Sequence, residues 1–333
     1  MRIAVVGAGA IGGYLAARLA AAGEDVTVIA RGANLAAIQA QGLKLIEEGG
    51  REIQVRNVRA FERPADAGAH DYVLLALKAH QVEPIAHAIP ALFDERTALV
   101  PLQNGIPWWY FYNHGAYAGR TVRSVDPNGA ISAAIDSARI IGCVVFPAAN
   151  LIAPGVIQVV EGNRFTLGEP DGTETSRMKV LAETLTRAGF KAPITADIRG
   201  EIWLKLWGNM TFNPISALTH ATLVDICQFP LTRELATNMM REAETVANKL
   251  GITFRVPIER RIAGAERVGA HKTSMLQDIE QGRPVELDAL VGSVVELAAL
   301  TETPTPCINA IYAVTSLLAR TLETHKGRLQ ISR

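Results

Sequence analysis

The stretch Ile3-Ala4-Val5-Val6-Gly7-Ala8-Gly9-Ala10-Ile11-Gly12 decides the fold of the first half of the chain. Residues 3–6 are uninterruptedly apolar and read as a strand buried on both faces. A Gly-x-Gly-x-x-Gly turn follows directly, and residues 11–22 read as an alanine-rich helix. Gly-x-Gly-x-x-Gly alone is a weak signal; strand before and helix after are the context it needs. There, Gly7 permits the tight turn, Gly9 lets a pyrophosphate approach the backbone, and Gly12 allows close helix–strand packing. The helix start offers free N–H groups and a positive dipole end to phosphates. Gly7, Ala8, Gly9, Ala10, Ile11 and Gly12 are therefore the expected cradle for a dinucleotide.

Outward from this turn, residues 25–30 (DVTVIA) form the second expected strand. An acidic residue at its tip would bind the ribose 2′-hydroxyl of NAD. None stands there. Arg31 does, 19 residues after Gly12, where a guanidinium can pair with a 2′-phosphate. This favours NADP, the other reading of Arg31 being a solvated charge. Further strands are expected at 71–77 and 97–102, with a helix over 82–92; the alternation predicts a parallel sheet covered on both faces. Lys78 and Asn104-Gly105 follow two of these strands, at the carboxyl edge where ligands bind in open α/β sheets. On position alone, Lys78 is equally a solvated strand-end lysine and Asn104-Gly105 a plain turn.

The pattern then changes. Residues 138–146, 155–160 and 164–167 read as strands making an antiparallel addition to the sheet. Residues 176–188 form a helix ending at Gly189. From 197 onward the chain reads as helices, over 197–218 with an interruption at Pro214, then 231–250, 274–281, 285–300 and 309–324. The expected organisation is α/β: a Rossmann-type NADP-binding domain over 1–195, then an all-α substrate and catalytic domain over 196–333.

The length of 333 residues suits two domains. Formal net charge is zero, so no basic excess points to nucleic acid or an anionic membrane surface. Cys143, Cys227 and Cys307 are far apart and form no CxxC pair, which argues against a disulfide framework or zinc site. No metal is expected. Residues 1–6 do not read as a signal peptide, no run has the length of a membrane span, and a cytoplasmic location is expected.

The second half is most informative at Glu201-Ile202-Trp203-Leu204-Lys205-Leu206-Trp207-Gly208-Asn209-Met210-Thr211-Phe212-Asn213-Pro214. Lys205, Asn209 and Asn213, spaced by four, share one helical face, while apolar residues occupy nearly every other direction. Such a stripe lines a polar cavity or has specific partners. The plainer reading is an ion pair from Lys205 to Glu201 one turn earlier.

Taken with Leu77-Lys78-Ala79-His80-Gln81, Gln103-Asn104-Gly105, Thr273-Ser274-Met275-Leu276-Gln277-Asp278 and Glu286 after Arg283-Pro284, these motifs resemble the ketopantoate reductase (2-dehydropantoate 2-reductase) family over nearly the whole chain. The resemblance implies Lys205 as the catalytic lysine and Glu286 as the active-site glutamate. It implies that Asn104, Asn209, Asn213 and Ser274 bind substrate, and that Arg31, Lys78, Asn104 and Glu286 contact NADPH. Without it, Ser274 reads as a helix cap and Glu286 as a solvated first-turn acid. It further implies NADPH-dependent reduction of a small 2-oxo acid, in pantothenate biosynthesis, and leaves a homodimer open as the assembly. Two rivals stand beside it: a reductase of another 2-oxo acid or β-hydroxyacid dehydrogenase, and a non-catalytic NADP-binding sensor. The aromatic run Trp108-Trp109-Tyr110-Phe111-Tyr112 either faces the site and reshapes it or packs internally.

Overall fold

The computed structural model describes residues 1–325; residues 326–333, the tail of the expected second domain, lie outside them. Its strands are β1 (Arg2–Val6), β2 (Asp25–Ile29), β3 (Leu43–Ile46), β4 (Glu52–Val55), β5 (Val58–Phe61), β6 (Tyr72–Leu75), β7 (Ala98–Pro101), β8 (Gly142–Val145), β9 (Ala148–Ala153), β10 (Val156–Glu161) and β11 (Phe165–Gly168). Among them run α1 (Ala10–Ala21), α2 (Gly32–Gln41), α3 (Glu83–Ala86), α4 (Ala130–Ala134) and α5 (Ser176–Arg187). The main sheet has order β5–β2–β1–β6–β7, and every pairing in it is parallel. Strand order reverses between β1 and β6, so a crevice opens beyond their carboxyl ends. The apolar runs of β6 and β7 are wholly buried, as expected of strands covered on both faces.

Two smaller sheets accompany it. β8 pairs antiparallel with β11, and Ile141 N–H donates to the Leu99 carbonyl at 2.9 Å, joining that pair to the β7 edge. The two strands are antiparallel to each other as expected, but they form their own two-stranded sheet and meet the main sheet through a parallel bridge, Leu99 to Ile140. The strand expected at 155–160 goes elsewhere: β10 joins a second sheet of order β4–β3–β10–β9. Its partner β3 alternates Leu43 and Leu45 inward, and Leu45 stands in register with Ile157, both fully buried. Ile157 lies against α1 at Gly13, where a Cβ would come within 2.6 Å of its side chain. The helix expected over 82–92 is broken into α3 and a separate turn at Ile89–Leu92, because Pro90 supplies no N–H and disfavours helical geometry before it.

The helical unit contains α6 (Ile198–Thr219), α7 (Leu223–Gln228), α8 (Pro230–Lys249), α9 (Ile258–Val268), α10 (Ser274–Glu280), α11 (Ser293–Leu300) and α12 (Pro306–Thr324). α6 continues through Pro214. The lost hydrogen bond and ring clash cost about 3 kcal/mol, and burial of Trp203, Leu206, Trp207, Met210 and Ile215 on both sides of the proline offsets it. α9 was not singled out in the sequence, although its buried Ile258, Ile262 and Ala265 follow the helical period. The helix expected over 285–300 opens with a π turn, Asp288–Gly292, before α11.

The chain divides into two units. The first comprises Met1–Gln103, Pro107–Thr121 and Asp126–Ile198; the second takes Asn104–Ile106, Val122–Val125 and the chain from Arg199 onward. Two short threads from the first half thus belong to the helical unit. Ile106 N–H donates to the Ala289 carbonyl at 3.1 Å. The Glu296 carboxylate accepts from the backbone N–H groups of Arg123 and Ser124 at 2.8 and 2.7 Å.

Two substitutions probe this framework. A Cβ on Gly12 would lie 1.9 Å from the Gly7 carbonyl oxygen, so Gly12→Ala should lower stability by about 1–3 kcal/mol; an unchanged urea midpoint would contradict the close packing. α10 is capped by Thr273, whose side chain accepts from Leu276 N–H at 3.3 Å. Thr273→Ala should cost about 1 kcal/mol and weaken the start of α10; an unchanged urea midpoint in the same denaturation assay would move the cap.

Candidate active site

The dinucleotide turn is built by backbone contacts. Gly7 has φ +101°, and a Cβ there would meet the Ala76 carbonyl oxygen at 2.8 Å, so the turn presses against the end of β6. Around Gly9 nothing lies within 4 Å of a Cβ position, leaving open space for a phosphate. Gly9 is the N-cap residue of α1 and brings no side-chain cap, and the first turn carries no acid. The leading N–H groups therefore face outward in the manner that anions require. These features fit a dinucleotide. Asn34 was missed in the sequence: its Nδ2 donates to the Ala8 carbonyl, and its Oδ1 accepts from Gly155 N–H at 2.7 Å. It ties the turn to the β9–β10 hairpin, a link between loops 26 and 121 residues apart that local pattern does not encode.

Arg31 is exposed at the N-terminus of α2, directly beyond β2. Lys78 is half-buried just past β6, and its N–H donates to Gln81 Oε1 at 3.1 Å. Gln103 Nε2 donates to the Leu75 and Leu77 carbonyls at 2.7 and 2.9 Å, fixing the chain between β6 and Lys78. The glycine turn, Arg31 and Lys78 thus share the carboxyl edge of the main sheet.

The second group lies in the helical unit. Lys205 is half-buried on α6, and its Nζ donates to Asn104 Oδ1 at 2.6 Å. Asn104 is held by its neighbours. Gly105 has φ +90°, and a Cβ there would meet the Ala289 carbonyl oxygen at 2.1 Å. That carbonyl also accepts from Ile106 N–H and from Ser293 Oγ, at 3.1 and 2.7 Å. Glu286 stands two residues before the π turn that presents Ala289, and its own carbonyl accepts from Leu290 N–H at 3.2 Å. One turn therefore tethers both Asn104 and Glu286. Further along α6, Asn213 is 4% exposed, and its Nδ2 reaches Ser274 Oγ at 3.4 Å. Ser274, read in isolation as a helix cap, is freed of that task because Thr273 performs it. Asn209 is half-buried on the same stripe.

Arg261 on α9 was also missed. Its guanidinium rests on α6 at Gly208, where a Cβ would lie 2.2 Å from Nη2. The signal was present: a glycine inside a helix costs about 1 kcal/mol relative to alanine and marks a close approach. Four members of the aromatic run, Trp108, Trp109, Tyr110 and Phe111, are packed inside and at most 4% exposed, while Tyr112 is half-buried. Burial pushes the Cys227 thiol up to about 11, so it remains protonated at neutral pH. Among the described residues there is no cluster suited to a metal ion and no helix long and apolar enough to cross a membrane.

Comparison with known proteins identifies the family. The model of the family Ketopantoate reductase PanE/ApbA matches residues 3–172, and its C-terminal counterpart matches residues 197–319. A Mesorhizobium japonicum protein named 2-dehydropantoate 2-reductase is 52% identical over 96% of this chain and 98% of its own. A solved structure from Ralstonia solanacearum MolK2 superposes with TM-score 0.92 at 41% identity, covering 97% of this chain and 98% of that one. The 2-dehydropantoate 2-reductase from Geobacter metallireducens GS-15 gives TM-score 0.83 at 28% identity, over 96% and 100% of the two chains. With a dinucleotide turn on its parallel sheet and a lysine–asparagine pair in its helical unit, the chain belongs to the ketopantoate reductase family.

Proposed function

We propose that this protein reduces 2-dehydropantoate to pantoate with NADPH. The observation that carries the reading is the Lys205–Asn104 hydrogen bond of 2.6 Å, made by an ammonium on a helix anchored by the buried Trp203, Leu206, Trp207 and Met210. Residues 7–12 would hold a nicotinamide dinucleotide, which would supply hydride chemistry when bound. The protein's residues supply orientation and the proton. As negative charge builds on the ketone oxygen, the Lys205 ammonium stabilises it and donates a proton from Nζ. Asn104 Oδ1, accepting from that same Nζ, limits the rotamers Lys205 can adopt and so aims it. Ser274 Oγ and the carboxamides of Asn209 and Asn213 offer hydrogen bonds to the oxygens of the substrate. Glu286 accepts from the substrate hydroxyl.

NADPH is favoured over NADH by Arg31, an exposed guanidinium at the start of α2. The tip of β2 bears no carboxylate to claim a 2′-hydroxyl, and an arginine can pair two N–H groups with a 2′-phosphate.

Lys205→Ala should lower kcat by about 100- to 10,000-fold while NADPH affinity, read by fluorescence titration, persists. Survival of kcat would remove Lys205 as the acid. Arg31→Ala should weaken NADPH by about tenfold or more and leave NADH nearly untouched; equal weakening of both would remove the 2′-phosphate contact.

A further inference from the structure

Arg261 has no role in the chemistry derived so far, and its setting is unusual for an arginine. Its Nε is sealed from solvent without a hydrogen-bond partner, while Gly208 allows the rest of the guanidinium to lie on the α6 backbone. Burial pulls the guanidinium below its ordinary pKa, with no carboxylate contributing an opposing effect. Some other partly buried arginines have carboxylate partners, although Arg18 Nε is likewise buried without a hydrogen bond. Arg177 is paired with Glu169 at 2.6 Å and also donates to two backbone carbonyls. A desolvated cation without a counter-ion costs stability, and a ligand that carries an anion removes that cost on binding.

The position narrows the ligand. Gly208 is three residues beyond Lys205, so the two are neighbours on the helix surface, and Asn209 is next in sequence. An anion on Arg261 would therefore sit about one helical turn from the Lys205 position. A 2-oxo acid has an anionic carboxylate bonded directly to its ketone carbon. A guanidinium presents N–H groups in a planar fork that matches a carboxylate.

We propose that Arg261 is a substrate-binding residue that receives the carboxylate of the 2-oxo acid, with Gly208 conserving the space in which it does so. This inference rests on the reductase reading. It adds a substrate contact from α9 to those offered by α6 and α10.

Two measurements keep the inference and its parent distinct. Oxidation of NADPH by the wild-type protein with ketopantoate tests the reductase reading alone. Calorimetric titration of pantoate, and of its neutral amide, into NADP-loaded protein tests the subsite. The wild type should prefer pantoate to the amide. Arg261→Ala should weaken pantoate by about 10- to 100-fold, abolish that preference and raise KM for ketopantoate similarly, with a much smaller change in kcat. Gly208→Ala should act in the same direction by displacing the guanidinium, and Arg261→Lys should restore part of the preference. If Arg261→Ala folds poorly in a thermal melt, these two variants carry the comparison. Full preference for pantoate retained in Arg261→Ala or Gly208→Ala overturns the subsite, as does a loss confined to kcat. If the wild type binds pantoate through Arg261 but reduces no 2-oxo acid, the reductase reading falls and the carboxylate subsite stands.

Discussion

The hydrogen bond from Lys205 to Asn104 is the constraint around which the helical unit is arranged. It joins residues 101 positions apart, and it needs a segment from the first half of the chain to run inside the second unit. The Asn104–Ile106 thread achieves this by docking on the π turn, through Ile106 N–H and the Ala289 carbonyl. A π turn inserts one extra residue into a helical course, and such turns recur at functional sites. Here it presents a carbonyl to Gly105–Ile106 and places Glu286 at its mouth.

Close backbone approach is the recurring device. Gly12 lets α1 meet the Gly7 carbonyl, Gly105 lets the Asn104 thread meet the Ala289 carbonyl, and Gly208 lets an arginine lie on α6. In each case a methyl group would occupy space that a functional element needs. Glycine costs helix stability at Gly12 and Gly208, and the return is close approach at the glycine turn, the Asn104 thread and the Arg261 guanidinium. These are sites where local preference and tertiary need diverge.

The polar groups of α6 show the same division. Trp203, Leu206, Trp207 and Met210 are fully buried and hold the helix in place. Lys205 and Asn213 take side-chain partners from distant segments, Asn104 and Ser274. Each partner is set by something further away: Asn104 by the π turn, and Ser274 by the Thr273 cap that precedes it. Rigid placement of a few polar groups on a packed helix is what the proposed proton donation by Lys205 would require.

The sequence by itself determined the parallel sheet, the glycine turn, the helical second half and the lysine–asparagine stripe, because each is written in local periodicity or in residues a few positions apart. Buried strands announce themselves as apolar runs, and residues four apart must share a helical face. Tertiary structure alone decided that β10 leaves the main sheet for β3, that Asn104 belongs to the helical unit, and that the aromatic run from Trp108 to Phe111 packs inside. It also decided that Asn34 clamps the glycine turn and Arg261 lies on Gly208. These contacts pair residues tens or hundreds of positions apart, and chain closure over such distances leaves no periodic trace: the energy that selects the partner is packing and desolvation at the contact itself.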